Sequence, residues 1–212
     1  VMNSHLQTYL EPTFFLDYLD PAVTQFAEKV SKGAGSPKER AIRLYYAVRD
    51  SVLYDPFDLR YDRQAMQAST ILQKQRGYCV AKAVLLAAVA RQQRIPARLG
   101  FADVTNHIST PKLRAKMGTD LFVYHGYTEF LLDGRWVKAT PAFNLSLCRR
   151  FNVKPLEFDG NSDSIFHEFD ARGQKHMEYV TDHGHFADLP FELIFQAYQR
   201  TYPKFFDHFP AR

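Results

Sequence analysis

Residues 77–91 read GYCVAKAVLLAAVAR. Val80, Ala83, Val84, Leu86, Ala87, Ala88 and Ala90 leave no polar stripe on a helix running from Cys79 to Gln93, and a helix apolar on every side is a buried one. Cys79 opens that helix directly after a glycine and a tyrosine. In a first helical turn the unpaired backbone N–H groups and the positive dipole end favour a thiolate. Gly77 permits a tight chain path that lets backbone approach a substrate. The competing reading is a cysteine that packs in the core as a small hydrophobe.

Upstream, Pro21 to Lys32 reads as a helix closed by Gly33. Ser36-Pro37-Lys38-Glu39 opens another, with Ser36 as cap, Pro37 at the first helical position and Glu39 reaching back. It runs to about Leu53, with Ile42, Tyr45, Tyr46 and Arg49 at helical spacing. The stretch from Tyr54 to Arg63 reads as a loop, and a short helix spans about Ser69 to Gln75.

Downstream, strands are expected over Ala97–Val104 and Leu121–Leu132. Asp133-Gly134 is a type I′ hairpin signal, returning along Arg135–Thr140. A two-residue loop pairs Leu132 with Arg135 and so sets His125 opposite Ala142, Tyr127 opposite Thr140 and Val123 opposite Asn144. Because side chains alternate, His125, Thr140 and Asn144 fall on one face, both polar residues diagonal to the histidine. A base oriented by a third group is the general form of a nucleophilic triad. The other reading is a histidine that only fills a strand position. Past Asn144, the stretch from Pro155 to Pro190 reads as turn-rich, followed by a helix from about Phe191 to Tyr202.

Gly77-Tyr78-Cys79, followed by Ala83, Leu86, Arg91 and Ile95-Pro96-Ala97-Arg98, resembles the cysteine segment of the transglutaminase-like superfamily. His125, Glu129, Leu132-Asp133-Gly134-Arg135-Trp136-Val137 and Pro141 resemble its histidine-and-hairpin segment. The two cover about half the chain, in the right order and spacing. The resemblance implies an α+β, papain-like fold, with the cysteine helix packed on an antiparallel sheet. It implies Cys79 as nucleophile, His125 as base, a thioester intermediate and no cofactor. The family usually places an aspartate before a proline where this chain has Thr140 before Pro141. A threonine hydroxyl can accept from imidazole but brings no charge. Asn144, through its amide oxygen, and Asp103, near the end of an adjacent strand, are the alternatives for that role.

The implied activity is acyl transfer or hydrolysis on a carboxamide, as a thiol amidase, peptidase or transglutaminase-like enzyme. Substrates would be peptides, proteins or small amides; short bacterial-type members are linked more to hydrolysis than to crosslinking. The alternative is an inactive transglutaminase-like module that binds a protein or peptide partner, a reading that Thr140 favours. One domain over 1–212 is expected, its core at about 36–144 and its remainder, 145–212, wrapping that core through Phe158, Phe166, Phe169, Phe186, Phe191 and Phe195.

Composition bounds the rest. Of 212 residues, 46% are apolar and 24% charged, the balance of a globular chain, and the aromatic share of 15% lets a compact core form in a short one. The net charge of +4 is spread among acidic residues, so no nucleic-acid track is expected. Two cysteines fit a reducing compartment, with Cys148 structural. The apolar run from Ala83 to Ala90 is too short for a membrane span, and Val1 to His5 carries no leader pattern, so a cytoplasmic protein is expected. His183-Gly184-His185, with His176, Glu178, Asp182 and Asp188 nearby, could offer metal ligands but reads as a polar, turn-like tract, and no metal is assigned. Asp159, Asp163 and Asp170 lack calcium-loop spacing.

Overall fold

The structure, a computed structural model, describes residues 4–107, 109–165, 172–173 and 176–206. The chain begins with a single turn, α1 (Ser4–Gln7), and the helices α2 (Pro21–Ser31) and α3 (Pro37–Ser51). Both longer helices start with proline and carry side-chain caps: Asp20 accepts from Ala22 N–H, and Ser36 from Glu39 N–H at 3.1 Å. The Glu39 carboxylate reaches back to Gly35 N–H at 2.7 Å, one residue further than a capping box would take it.

Next come β1 (Leu53–Tyr54), a 3-10 turn at Gln64–Met66, α4 (Ala68–Lys74) and β2 (Arg76–Gly77). Parallel pairing of β1 with β2 places a two-residue strand where the sequence reads as the end of a helix and the start of a loop. Helix α5 (Cys79–Gln92) follows, and every residue from Cys79 to Arg91 is buried. Its burial includes two cations, each held by backbone carbonyls. Lys82 Nζ donates to Arg49 O and Val52 O, and the Arg91 guanidinium donates to Ala97 O, Glu11 O and Ala187 O.

The remaining elements are β3 (Ala97–Asn106), α6 (Pro111–Met117), β4 (Leu121–Leu132), β5 (Arg135–Ala139), α7 (Leu145–Phe151), β6 (Met177–Phe186), α8 (Phe191–Thr201) and α9 (Pro203–Phe206). The four longer strands form one antiparallel sheet in the order β5-β4-β3-β6. Asp133 and Gly134 both have positive φ, 48° and 78°, as a type I′ turn requires, and the ladder runs from Leu132↔Arg135 to Thr128↔Ala139. Helix α5 packs on this sheet, where Thr128 Oγ1 donates to Ala83 O at 2.9 Å. The fold is the expected α+β arrangement of a cysteine helix on an antiparallel sheet.

Two sequence expectations need correcting. The ladder between β4 and β5 stops at Ala139, because Thr140 N–H donates instead to Ser164 O at 2.8 Å. Asn144 therefore does not sit opposite Val123; it immediately precedes α7. The stretch from Pro155 to Pro190 is not all turn, since β6 extends the sheet along β3 as an edge strand. It escapes notice because its apolar residues do not alternate with polar ones: Tyr179 and Val180 are adjacent and both exposed, and polar residues follow. Among the late aromatics, Phe158 packs on Tyr45 and Phe130, Phe186 on Phe101, and Phe191 on Phe15. Phe166, Phe169 and Asp170 lie outside the described residues. No helix among the described residues is long and apolar enough to cross a membrane.

Candidate active site

Tyr78 is the extended residue before α5, so Cys79 occupies the first helical position. Burial pushes the Cys79 thiol up to about 11, against the opposing pull of backbone N–H groups of Gly126, Val80 and Cys79 itself. Desolvation wins because the side chain is only 6% exposed. His125 lies on β4 opposite Ala102 and is 3% exposed; burial brings its imidazole down to about 4. Burial thus favours the neutral form of each group taken singly. Both residues border one narrow cleft of about 30 Å³, walled by Tyr54, Tyr78, Tyr198 and Tyr202. Burial raises all four phenols, so the walls stay uncharged.

The chain just before His125 is irregular. Ala102 pairs with His125 but Val104 with Phe122, so β4 carries one extra residue there. Tyr124 takes it up in a left-handed conformation, φ 52°, with its N–H on Asp103 Oδ1 at 2.8 Å. The neighbouring Val123 N–H donates to the Tyr202 hydroxyl at 2.6 Å, which in turn donates to Leu121 O. The bulge is thus tied to β3 on one side and to the end of α8 on the other.

Three candidates stood for the group that orients His125. Among the described residues Thr140 Oγ1 is buried with no hydrogen-bond partner, and Thr140 and His125 both line one gap in the packing, too small to hold a water. Asn144 is engaged elsewhere: its Oδ1 accepts from Tyr54 N–H at 2.9 Å and its Nδ2 donates to Ser146 Oγ. Asp103 faces His183 at 2.7 Å, and the His183 ring stacks on Tyr124 with centroids 4.0 Å apart. Thr140 alone of the three lines a gap with His125.

Among the described residues, no group of three or more His, Cys, Asp or Glu side chains is placed to hold a metal ion. Cys148 is buried and, like Cys79, a free thiol. Residues that sequence reasoning did not single out are Gly126, whose backbone meets the helix at Cys79, and Tyr198 and Tyr202, which close the cleft from far along the chain. Gly126 stands beside His125 in sequence, and a glycine flanked by large residues mid-strand is itself a mark of close backbone approach.

Among solved structures, a Cytophaga hutchinsonii protein provisionally assigned as a cysteine protease aligns with 87% of this chain and 55% of its own, at 15% identity and a TM-score of 0.51. A Parabacteroides distasonis protein provisionally assigned as a protease aligns with 64% of this chain and 25% of its own, at 16% identity and a TM-score of 0.41. The chain thus spans about half the length of the first and a quarter of the second. A search of curated proteins returns no match. The family model described as transglutaminase-like superfamily matches residues 24–141, more than half of the sequence, from within the second helix to the proline after Thr140. The chain belongs to the transglutaminase-like superfamily.

Proposed function

We propose that this protein is a thiol acyltransferase or hydrolase acting on carboxamides, with Cys79 as nucleophile, His125 as general base and acid, and Thr140 as the neighbouring hydroxyl free to accept from the imidazole as it becomes charged. The observation that carries the reading is the cleft lined by both the first residue of a buried helix and a buried histidine. Attack of the Cys79 sulfur on the carboxamide carbon forms the C–S bond as the thiol proton passes to His125. The oxyanion is stabilised by backbone N–H groups at the start of α5. Collapse breaks the C–N bond, and the His125 imidazolium returns the proton to the departing amine, leaving a thioester. Water or an amine then attacks that thioester with His125 again as base, and the C–S bond breaks to regenerate the thiol. We read residues 1–212 as one domain carrying this site.

A neutral imidazole suits this sequence, because the base must be unprotonated when attack begins. Thr140 brings no charge to favour imidazolium, so a slower enzyme than an aspartate-bearing one is expected. The uncharged third position also favours a second reading, an inactive module that binds a peptide in the same cleft.

Glutaminyl and asparaginyl peptides incubated with hydroxylamine test the choice. Hydroxamate formation with ammonia release, lost in both Cys79→Ala and His125→Ala, supports an acyl-enzyme. Peptide binding without product, unchanged by either substitution, supports the binding module.

A further inference from the structure

A second hollow lies against the Cys79 cleft and takes no part in the steps above. Its cavity volume is about 220 Å³, against about 30 Å³ for the cleft, and the two share Tyr54, Pro56 and Phe122 as walls. The rest of its lining is dominated by apolar side chains, among them Leu113, Phe143, Leu147 and Val153. Two further lining rings, Phe57 and Phe151, are each 40% exposed. A concave, mostly apolar lining with a few polar groups is the usual form of a ligand site, and open rings in it gain by being covered.

One cation stands in this lining. Arg150 is exposed, its guanidinium 5.7 Å from the Phe151 ring, and no carboxylate pairs with it among the described residues. An exposed arginine offers a planar fork of donors that matches a carboxylate.

We infer that this hollow is the acyl-donor subsite of the Cys79 cleft, taking a large apolar side chain with an acidic group beside it that reaches Arg150. The inference rests on the proposed role of Cys79. A substrate of this class would lay its reacting carbonyl at the sulfur and its side chain past Phe122, through the shared walls.

Chloromethyl ketones test both together. The Cys79 sulfur bonds to the reagent's methylene carbon, the C–Cl bond breaks, chloride leaves and the thiol proton passes to His125. Rates are read at Cys79 by mass spectrometry of its peptide, so modification of Cys148 does not count. The acetyl-phenylalanyl reagent is expected to react about tenfold or more faster than the acetyl-alanyl one, the range that one pocket contact gives. Leu113→Trp, which fills the hollow, should bring that ratio close to one. Equal rates for the two reagents in the unsubstituted protein overturn the subsite, and that comparison needs no variant to fold. An acetyl-aspartyl-phenylalanyl reagent should outpace its asparaginyl counterpart, and Arg150→Gln should abolish the difference; equal rates in the unsubstituted protein overturn the acidic preference. Fast, His125-dependent reaction with every reagent alike leaves the enzyme reading standing and the subsite refuted. Reaction no faster than a free thiol's with all of them overturns both.

Discussion

Gly126 lies so close to Val80 that a Cβ at position 126 would stand 2.9 Å from the Val80 Cα and 3.3 Å from its amide nitrogen. Each partner of this contact neighbours a proposed catalytic residue in sequence: His125 precedes Gly126, and Cys79 precedes Val80. The glycine lets β4 meet the first turn of α5 backbone to backbone, and its own N–H bears on the Cys79 sulfur.

Gly126→Ala should therefore separate strand from helix. The obstacle is backbone, which cannot swing aside as a flexible side chain would. Overpacking of this kind costs about 1–3 kcal/mol. Denaturant unfolding should show that loss, and the Cys79 alkylation rate should fall while the protein is still folded. A variant with unchanged stability and unchanged Cys79 reactivity would contradict the contact's role.

Thr140 gives a second test. Thr140→Val keeps the shape and removes the hydroxyl, and loss of one hydrogen bond to a developing imidazolium is expected to lower kcat about tenfold. Thr140→Asp puts a carboxylate beside His125 and should move the acid limb of the rate profile to higher pH, since a nearby negative charge favours imidazolium. Profiles identical in all three proteins would show that Thr140 does not touch the reaction.

Stability should depend on pH through His125. Its folded pKa, about 4, lies below the unfolded value of 6.5, so the unfolded chain binds the proton more readily between those limits. Stability is then fully present above about pH 6.5 and declines as pH falls toward 4, by up to about 3 kcal/mol. His125→Phe should flatten the part of the curve due to this residue. Chemical unfolding at pH 7 and pH 5 measures it. An equal slope in the variant would refute the burial of an unpaired imidazole. At the alkaline end the sign reverses: the Cys79 thiol, raised by burial from 9.0 to about 11, adds stability that is lost as pH climbs through that range.

Arg91 links three segments that are distant in sequence, because its guanidinium donates to carbonyls of Glu11, Ala97 and Ala187. It is fully buried, and burial brings its pKa down to about 10, still charged at neutral pH. Arg91→Met would leave those carbonyls without a donor, at about 1–3 kcal/mol for each group left unsatisfied. Arg91→Lys should recover only part of the loss, since an ammonium lacks the planar fork. Thermal unfolding of both variants checks this, and full recovery by lysine would show that charge alone matters.

Much of this arrangement is legible in residues 77–141. The apolar run after Cys79 gives the buried helix, and Asp133-Gly134 fixes both the turn and the register up to Ala139. These are local signals, and their periods survive folding. What escapes is set by contacts across the chain. Nothing at Tyr124 announces a left-handed residue, because a tyrosine has no preference for it; Asp103 and the pairing with β3 impose it. Asn144 leaves the hairpin because Ser164 captures Thr140 N–H, and no local pattern ties those two segments together. The burial that shifts Cys79 and His125 is likewise set by the whole fold, with Tyr198 and Tyr202 reaching the cleft from far along the chain. Dipole and backbone N–H groups at a helix start argue for an acidic thiol from sequence alone, and burial reverses that sign.

The most direct test of the account is the rate of Cys79 alkylation by iodoacetamide as a function of pH, in the unsubstituted protein and in His125→Ala. If His125 takes the thiol proton during attack, the unsubstituted protein should alkylate appreciably at neutral pH, far below the range in which burial alone lets the thiol ionise. Without His125, the rate should be slow at neutrality and climb only as pH approaches about 11, where the buried thiol ionises unaided. Superimposable profiles for the two proteins would contradict the account, because Cys79 and His125 would then share a cleft without sharing a proton.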